Sequence, residues 1–185
     1  YWRYVDAHTL KALQLIHDKK YNEAITELEA ALLYPENLEV GQPSDDERNA
    51  LIYYYMGVAF DGMNSTKQAK ISFQKSVESK NRAGMYDLIY YQAKSHEKLG
   101  NSDTAQEMFK NLIVRGQEQM DKGSHNSLVA VEEASSTNNK KVSNSYYLQA
   151  LGNKGLGNNE EAQRLFESAL KEYNNNLWAK IMMNN

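Results

Sequence analysis

Leu156-Gly157-Asn158-Asn159-Glu160-Glu161-Ala162, running on as Gln163-Arg164-Leu165-Phe166-Glu167-Ser168-Ala169-Leu170, decides how the chain is built. A glycine closes one helical pattern and an Asn/Glu pair opens the next. Ala162, Phe166, Ala169 and Leu170 then fall at i, i+4, i+7 and i+8, one face of a helix. The same order of residues occurs at Leu99-Gly100-Asn101-Ser102-Asp103-Thr104-Ala105, followed by Phe109, Leu112 and Ile113. It occurs again at Met63-Asn64-Ser65-Thr66-Lys67-Gln68-Ala69, followed by Phe73, Ser76 and Val77. Repetition of this kind names an architecture before any single element is assigned.

Four copies align on a small residue opening the second helix of each pair: Ala24, Ala69, Ala105 and Ala162. Twelve residues upstream stand Ala12, Gly57, Ala93 and Ala150, all small. Four residues downstream stand Leu28, Phe73, Phe109 and Phe166, all large and apolar. Eight downstream come Leu32, Val77, Ile113 and Leu170. Small residues let two antiparallel helices approach closely, and the large ones fill the space towards the next pair.

This pattern resembles the tetratricopeptide repeat, a helix–turn–helix unit of about 34 residues. The resemblance implies an all-α chain, an α-α superhelix of about four helix pairs plus a C-terminal capping helix. As a single array over 1–185, the repeats are expected at about 4–35, 46–80, 85–120 and 143–173, with the cap at 175–183. The aligned alanines are unevenly spaced, so the joints carry insertions of roughly 11, 2 and 23 residues. The larger ones fall at 36–45 and 121–142. In the second, Leu128-Val129-Ala130-Val131 is expected to dock on the array between mobile flanks. Copy one departs from the pattern with Asp18-Lys19 where the third and fourth copies have Leu-Gly. Ser65 and Gln68 have the spacing of a capping box.

Composition narrows the function classes. Hydrophobic residues make up 41% and charged residues 24% of the 185, as in globular proteins. The net charge of -3 supplies no basic footprint for nucleic acid. No apolar run approaches the roughly 20 residues of a membrane span. With no cysteine, disulfides, thiolate metal sites and cysteine nucleophiles are excluded. That suits a reducing cytosol and is compatible with a periplasm. The start at Tyr1-Trp2-Arg3 reads as part of something longer.

Candidate chemistry is sparse. His8, His17, His96 and His125 show no spacing that would set two metal ligands on one helical face. Gly152-Asn153-Lys154-Gly155-Leu156-Gly157 is glycine-rich like a phosphate loop, yet it follows a helix instead of a strand and reads as a helix end. Asp45-Asp46-Glu47 reads as a helix start with favourable carboxylates. Neither an enzyme nor a cofactor or metal is expected.

The expected function is a non-catalytic protein-interaction or scaffolding module. In arrays of this family the first helices line a concave groove that takes a peptide or protein segment. Three residues before each first-helix small residue stand Thr9, Tyr54, Tyr90 and Tyr147, and one turn after them Leu13, Val58, Lys94 and Leu151. The tyrosines combine apolar ring faces with wet hydroxyls, as interfaces favour. Tyr55, Tyr91 and Leu148 are expected in the core between repeats. The carboxylate clamp of chaperone-binding relatives would fall on Thr9, Leu13, Tyr55, Asp87 and Tyr91, where no cationic pocket forms. A further likeness lies in Tyr34-Pro35-Glu36-Asn37-Leu38, then Gly41 and Pro43, ahead of a tyrosine-rich repeat. It resembles the C-terminal region of large bacterial proteins with an N-terminal domain of unknown function associated with carbohydrate handling. This implies two alternatives: intramolecular support of that N-terminal domain of the parent chain, or direct sugar binding by the groove tyrosines.

Overall fold

The computed structural model describes residues 2–33, 48–125 and 132–184. Among them all regular structure is helical, as the repeat grammar requires. The helices are α1 (Trp2–His17), α2 (Tyr21–Leu32), α3 (Asn49–Gly62), α4 (Thr66–Glu78) and α5 (Leu88–Lys98). They continue with α6 (Ser102–His125), α7 (Glu132–Gly155), α8 (Asn159–Glu172) and α9 (Leu177–Asn184). Residues 36–45, with Pro35, Pro43 and Asp45-Asp46-Glu47, lie outside the described residues, as do Leu128–Val131. The chain divides into two compact units, 1–102 and 103–185.

Each hairpin turn is built the same way. The residue five positions before the aligned alanine has a left-handed backbone in every copy: Lys19 at φ 59°, Asn64 at 58°, Gly100 at 87° and Gly157 at 80°. The N–H of the next residue then reaches back to a carbonyl five residues earlier. The pairs are Lys20 to Leu15 at 2.8 Å, and Ser65 to Phe60, Asn101 to His96 and Asn158 to Asn153, each at 2.9 Å. This is the Schellman closure, which satisfies otherwise orphaned carbonyls at a helix end. Copy one therefore departs from the pattern in its letters and keeps the conformation.

The capping box expected at Ser65 and Gln68 does not form, since Ser65 makes no side-chain cap hydrogen bond. Its backbone N–H already closes the preceding helix, and it sits at φ -85°, ψ 64°. Lys20 and Asn158 hold nearly the same angles, at φ -88°, ψ 61° and φ -78°, ψ 64°. In so short a link one residue ends one helix and starts the next, and its ψ is far from the extended value a side-chain cap uses.

In the 1–102 unit α2 packs on α1 and α3, and α4 packs on α3 and α5. Val5, Ala12, Leu28, Leu51, Ile52, Leu88 and Tyr91 are almost wholly buried there. Gly57 on α3 lies against the ring of Phe73 on α4, so this large residue fills space within its own pair, where the next pair was expected. In the 103–185 unit α8 packs on α7 and α9. α6 and α7 approach through glycines, with Gly152 against Ile113 and the Phe109 carbonyl, and Gly155 against the Phe109 ring. The cap helix α9 buries Trp178, Ala179 and Met182.

The stretch 121–142 differs from its expectation in its described parts. Both α6 and α7 run to 24 residues, against 11 to 16 in α1 to α5. The last turns of α6 and about ten extra residues of α7 thus occupy most of what reads as an insertion.

Candidate functional site

On the first helices of the 1–102 unit, Leu13, Tyr54, Val58 and Lys94, four of the eight expected contact residues, keep accessible surface. Tyr54, Val58 and Asp61 stand at i, i+4 and i+7 on α3, and Tyr90, Lys94 and Glu97 do so on α5. Lys98 of α5 reaches Asp61 of α3 at 2.8 Å, an exposed ion pair that links the two helices. Lys94 pairs with Glu97 on its own helix.

Four tyrosine rings interlock beneath these polar pairs. Tyr91, fully buried, is the hub: its ring centroid lies 5.7 Å from Tyr54, 5.7 Å from Tyr55 and 5.4 Å from Tyr90. Tyr54 and Tyr55 meet edge to face at 5.1 Å, and Tyr54 also lies 6.1 Å from Phe73. Such tilted and edge contacts suit the ring quadrupoles. Burial, aided by the charge of Glu97, pushes the Tyr54 phenol up to about 12. Burial also raises Tyr55, further lifted by Tyr54 and Tyr90 and partly offset by a hydrogen bond with Tyr91. Tyr90 is raised by burial, then by Tyr54 and Glu97. All three stay neutral hydrogen-bonding groups at physiological pH.

The expected contact residues separate by exposure. Leu13, Tyr54, Val58 and Lys94 are half-buried. Tyr90 keeps only 6% of its surface, and Thr9 is fully buried with its hydroxyl donated to the Val5 carbonyl at 2.7 Å. Tyr147 and Leu151 belong to α7 in the 103–185 unit, where both are buried and Tyr147 lies 6.2 Å from Phe166. Tyr91 and Leu148 are core residues, whereas Tyr55 is half-buried. Glu97 escaped the sequence reading, although its place one turn beyond Lys94 and two beyond Tyr90 was a usable signal.

The remaining candidates have structural surroundings. His96 is half-buried and its pKa is lowered by desolvation. Asp87 shares a cluster with Arg48 and Asp6, where burial raises its carboxyl pKa against the pull of Arg48. Arg48 Nε stands 3.6 Å from Asp6 Oδ1. In the glycine-rich stretch Lys154 donates to the Met182 carbonyl at 3.0 Å, so its ammonium holds the end of α9. Among the described residues no group of three or more histidines and acids is placed to hold a metal. None of the described helices is long and apolar enough to cross a membrane.

Comparison with known proteins bears on one stretch directly. Residues 87–115 match the tetratricopeptide repeat family model. No curated protein matches the chain significantly. Among solved structures, a crystal structure of MamA is 18% identical, with 91% of this chain and 77% of that one covered, at a TM-score of 0.36. MamA from Desulfovibrio magneticus RS-1 is 12% identical over 97% of this chain and 81% of that one, at 0.36. YrrB, described as a TPR protein with an unusual peptide-binding site, is 17% identical over 96% and 91%, at 0.34. Residues 87–115 thus carry the tetratricopeptide-repeat signature, and the turn inside them has the backbone that recurs at Lys19, Asn64 and Gly157.

Proposed function

We propose that the chain is a non-catalytic protein-interaction module, and that the first-helix face of the 1–102 unit receives a segment of a protein or peptide. The observation that carries the reading is an accessible layer of mixed chemistry over a rigid aromatic floor. Leu13, Tyr54, Val58 and Lys94 keep accessible surface, while Tyr90 and Tyr91 are buried, Tyr91 against the Tyr54 ring. An apolar patch rimmed by the Lys94–Glu97 and Lys98–Asp61 pairs offers both contact area and orientation. The tyrosines are held as neutral phenols, which suits stacking and hydrogen-bonded contact with a partner. Thr9 of α1 and, within the 103–185 unit, Tyr147 and Leu151 of α7 are proposed as buried supports of the first-helix face of their own unit.

Capture of partners from an extract by wild type and by a Tyr54→Ala/Lys94→Glu variant tests this, with far-UV circular dichroism as the folding control. The expected result is loss of a defined partner by a variant that remains helical. Unchanged recovery overturns the reading. Heat released on titration with oligosaccharides, abolished by the same variant, would move the assignment to sugar binding.

A further inference from the structure

We infer that the outward face of α4 is a second interaction surface, built for an acidic protein segment. Lys67, Lys70, Ile71, Gln74, Lys75 and Glu78 occur at i, i+3, i+4, i+7, i+8 and i+11, within an arc of about 140° on one helix. All six are exposed. The opposite side of the same helix buries Ala69, Ser72, Phe73 and Ser76. Lys80 follows immediately and is exposed, so four lysines accompany the one carboxylate, Glu78, between residues 67 and 80. That carboxylate accepts a hydrogen bond from Gln74 at 2.8 Å. The chain as a whole carries 21 basic and 24 acidic residues, which makes this a positive stripe on a net negative protein.

The lysines are not consumed within the fold. Elsewhere cations meet carboxylates, as in Lys11–Glu27 at 2.6 Å, Lys98–Asp61 at 2.8 Å and Arg164–Glu161 at 2.6 Å. Among the described residues Lys67, Lys70 and Lys80 form no such pair. Lys75 lies 5.3 Å from the centre of the Tyr53 ring, an arrangement that orders the ammonium without neutralising it.

Ile71 decides the partner class. It is 47% exposed in the middle of the lysines. An apolar side chain there gains nothing from a phosphate backbone and suits a leucine or similar residue set among acids. The net negative charge of the whole chain also opposes a long polyanion, whereas a short acidic segment meets the stripe alone. The helix is about 20 Å long, the reach of about six extended residues. This surface is independent of the tyrosine face.

Fluorescence anisotropy at low salt tests it with the full chain and three probes. These are a labelled short peptide of aspartate and glutamate containing one leucine, a duplex oligonucleotide, and vesicles containing phosphatidylserine. The peptide is expected to bind and to weaken about tenfold or more at physiological salt, because exposed charges are screened. Lys67→Glu/Lys70→Glu/Lys75→Glu should weaken it at least about tenfold, and Ile71→Ser or loss of the peptide leucine roughly three- to tenfold. All four side chains are exposed, so the thermal midpoint should hold and give the folding control. No peptide binding, equal binding by the charge-reversed variant, or tighter binding of the oligonucleotide or vesicle would each overturn the inference.

Discussion

Cδ1 of the Phe73 ring lies 2.6 Å from the point where a Cβ on Gly57 would stand. The two residues occupy the aligned small and large positions of one repeat, and both are buried. Alanine at 57 would gain about 0.5–1 kcal/mol of helix propensity but force the ring aside at an overpacking cost of about 1–3 kcal/mol. Gly57→Ala should therefore lower stability by about 1 kcal/mol. Phe73→Leu should relieve the clash, giving a coupling of about 0.5–3 kcal/mol in a double-mutant cycle. Urea unfolding of the four proteins measures it, and strictly additive effects would contradict the packing.

Lys19 tells a separate story about the turns. It holds φ 59°, where its counterparts in later copies are Asn64, Gly100 and Gly157. A side chain in left-handed backbone costs roughly 1–2 kcal/mol, and glycine avoids it. Lys19 is exposed, so nothing in the core depends on its side chain. Lys19→Gly should raise stability by about 0.5–1 kcal/mol, net of glycine's larger unfolded-state entropy. Gly100→Ala should lower it by about 1 kcal/mol for backbone reasons alone, since nothing lies within 4 Å of an added Cβ. Thermal melts that rank both changes in the opposite order would refute the argument.

The small and large positions held by Gly57 and Phe73 and the place of each turn were legible because both depend on residue size and backbone freedom at fixed spacing, whereas the packing of Phe73 on its own pair and the left-handed Lys19 were not. The long α6 and α7 were not. Ser/Asn/Lys-rich sequence reads as loop, but two antiparallel helices can extend together, and Gly116 permits the approach by standing where a Cβ would be 2.6 Å from the Ser145 carbonyl oxygen. The candidate face was legible as a helical face and less so in depth. Tyr90 lies between the core side and the solvent side of α5, and periodicity alone does not say which neighbour covers it. The ring of Tyr91 beside it, invisible to a one-helix reading, shows how deeply that side of α5 is packed.

Gln92 joins two helices through one amide. Its Nε2 donates to the Val77 carbonyl at 3.1 Å and the Ser79 carbonyl at 2.9 Å, and its Oε1 accepts from Asn81 at 2.6 Å. A side chain of α5 thereby closes the C-terminal end of α4, whose last carbonyls have no partner within their own helix. Removing it leaves part-buried acceptors unpaired, so Gln92→Ala should cost about 1–3 kcal/mol. Hydrogen exchange should rise first in the last turn of α4. Exchange that stays unchanged there while rising uniformly elsewhere would show that the amide does not hold that helix end.

Asp87 sets an acid-range dependence of stability with an unusual sign. Its carboxyl is raised above the ordinary aspartate value mainly by burial, and Arg48 only partly offsets this, with Asp6 adding repulsion. In the window between the unfolded value and the raised folded value the native state holds a proton that the unfolded chain releases. The group's contribution is therefore most favourable below the unfolded pKa of about 3.9 and is lost as pH rises through the folded one. Glu27 works the other way: hydrogen bonds from Lys11 and then His8 lower it, so its contribution is lost as pH falls. Wild-type stability against pH mixes the two, and the difference between Asp87→Asn and wild type isolates the first. That difference should move in the variant's favour as pH rises from about 4 towards neutrality, in a series of urea titrations at constant ionic strength. A flat difference across that range would mean that Asp87 is solvated as an ordinary surface carboxylate.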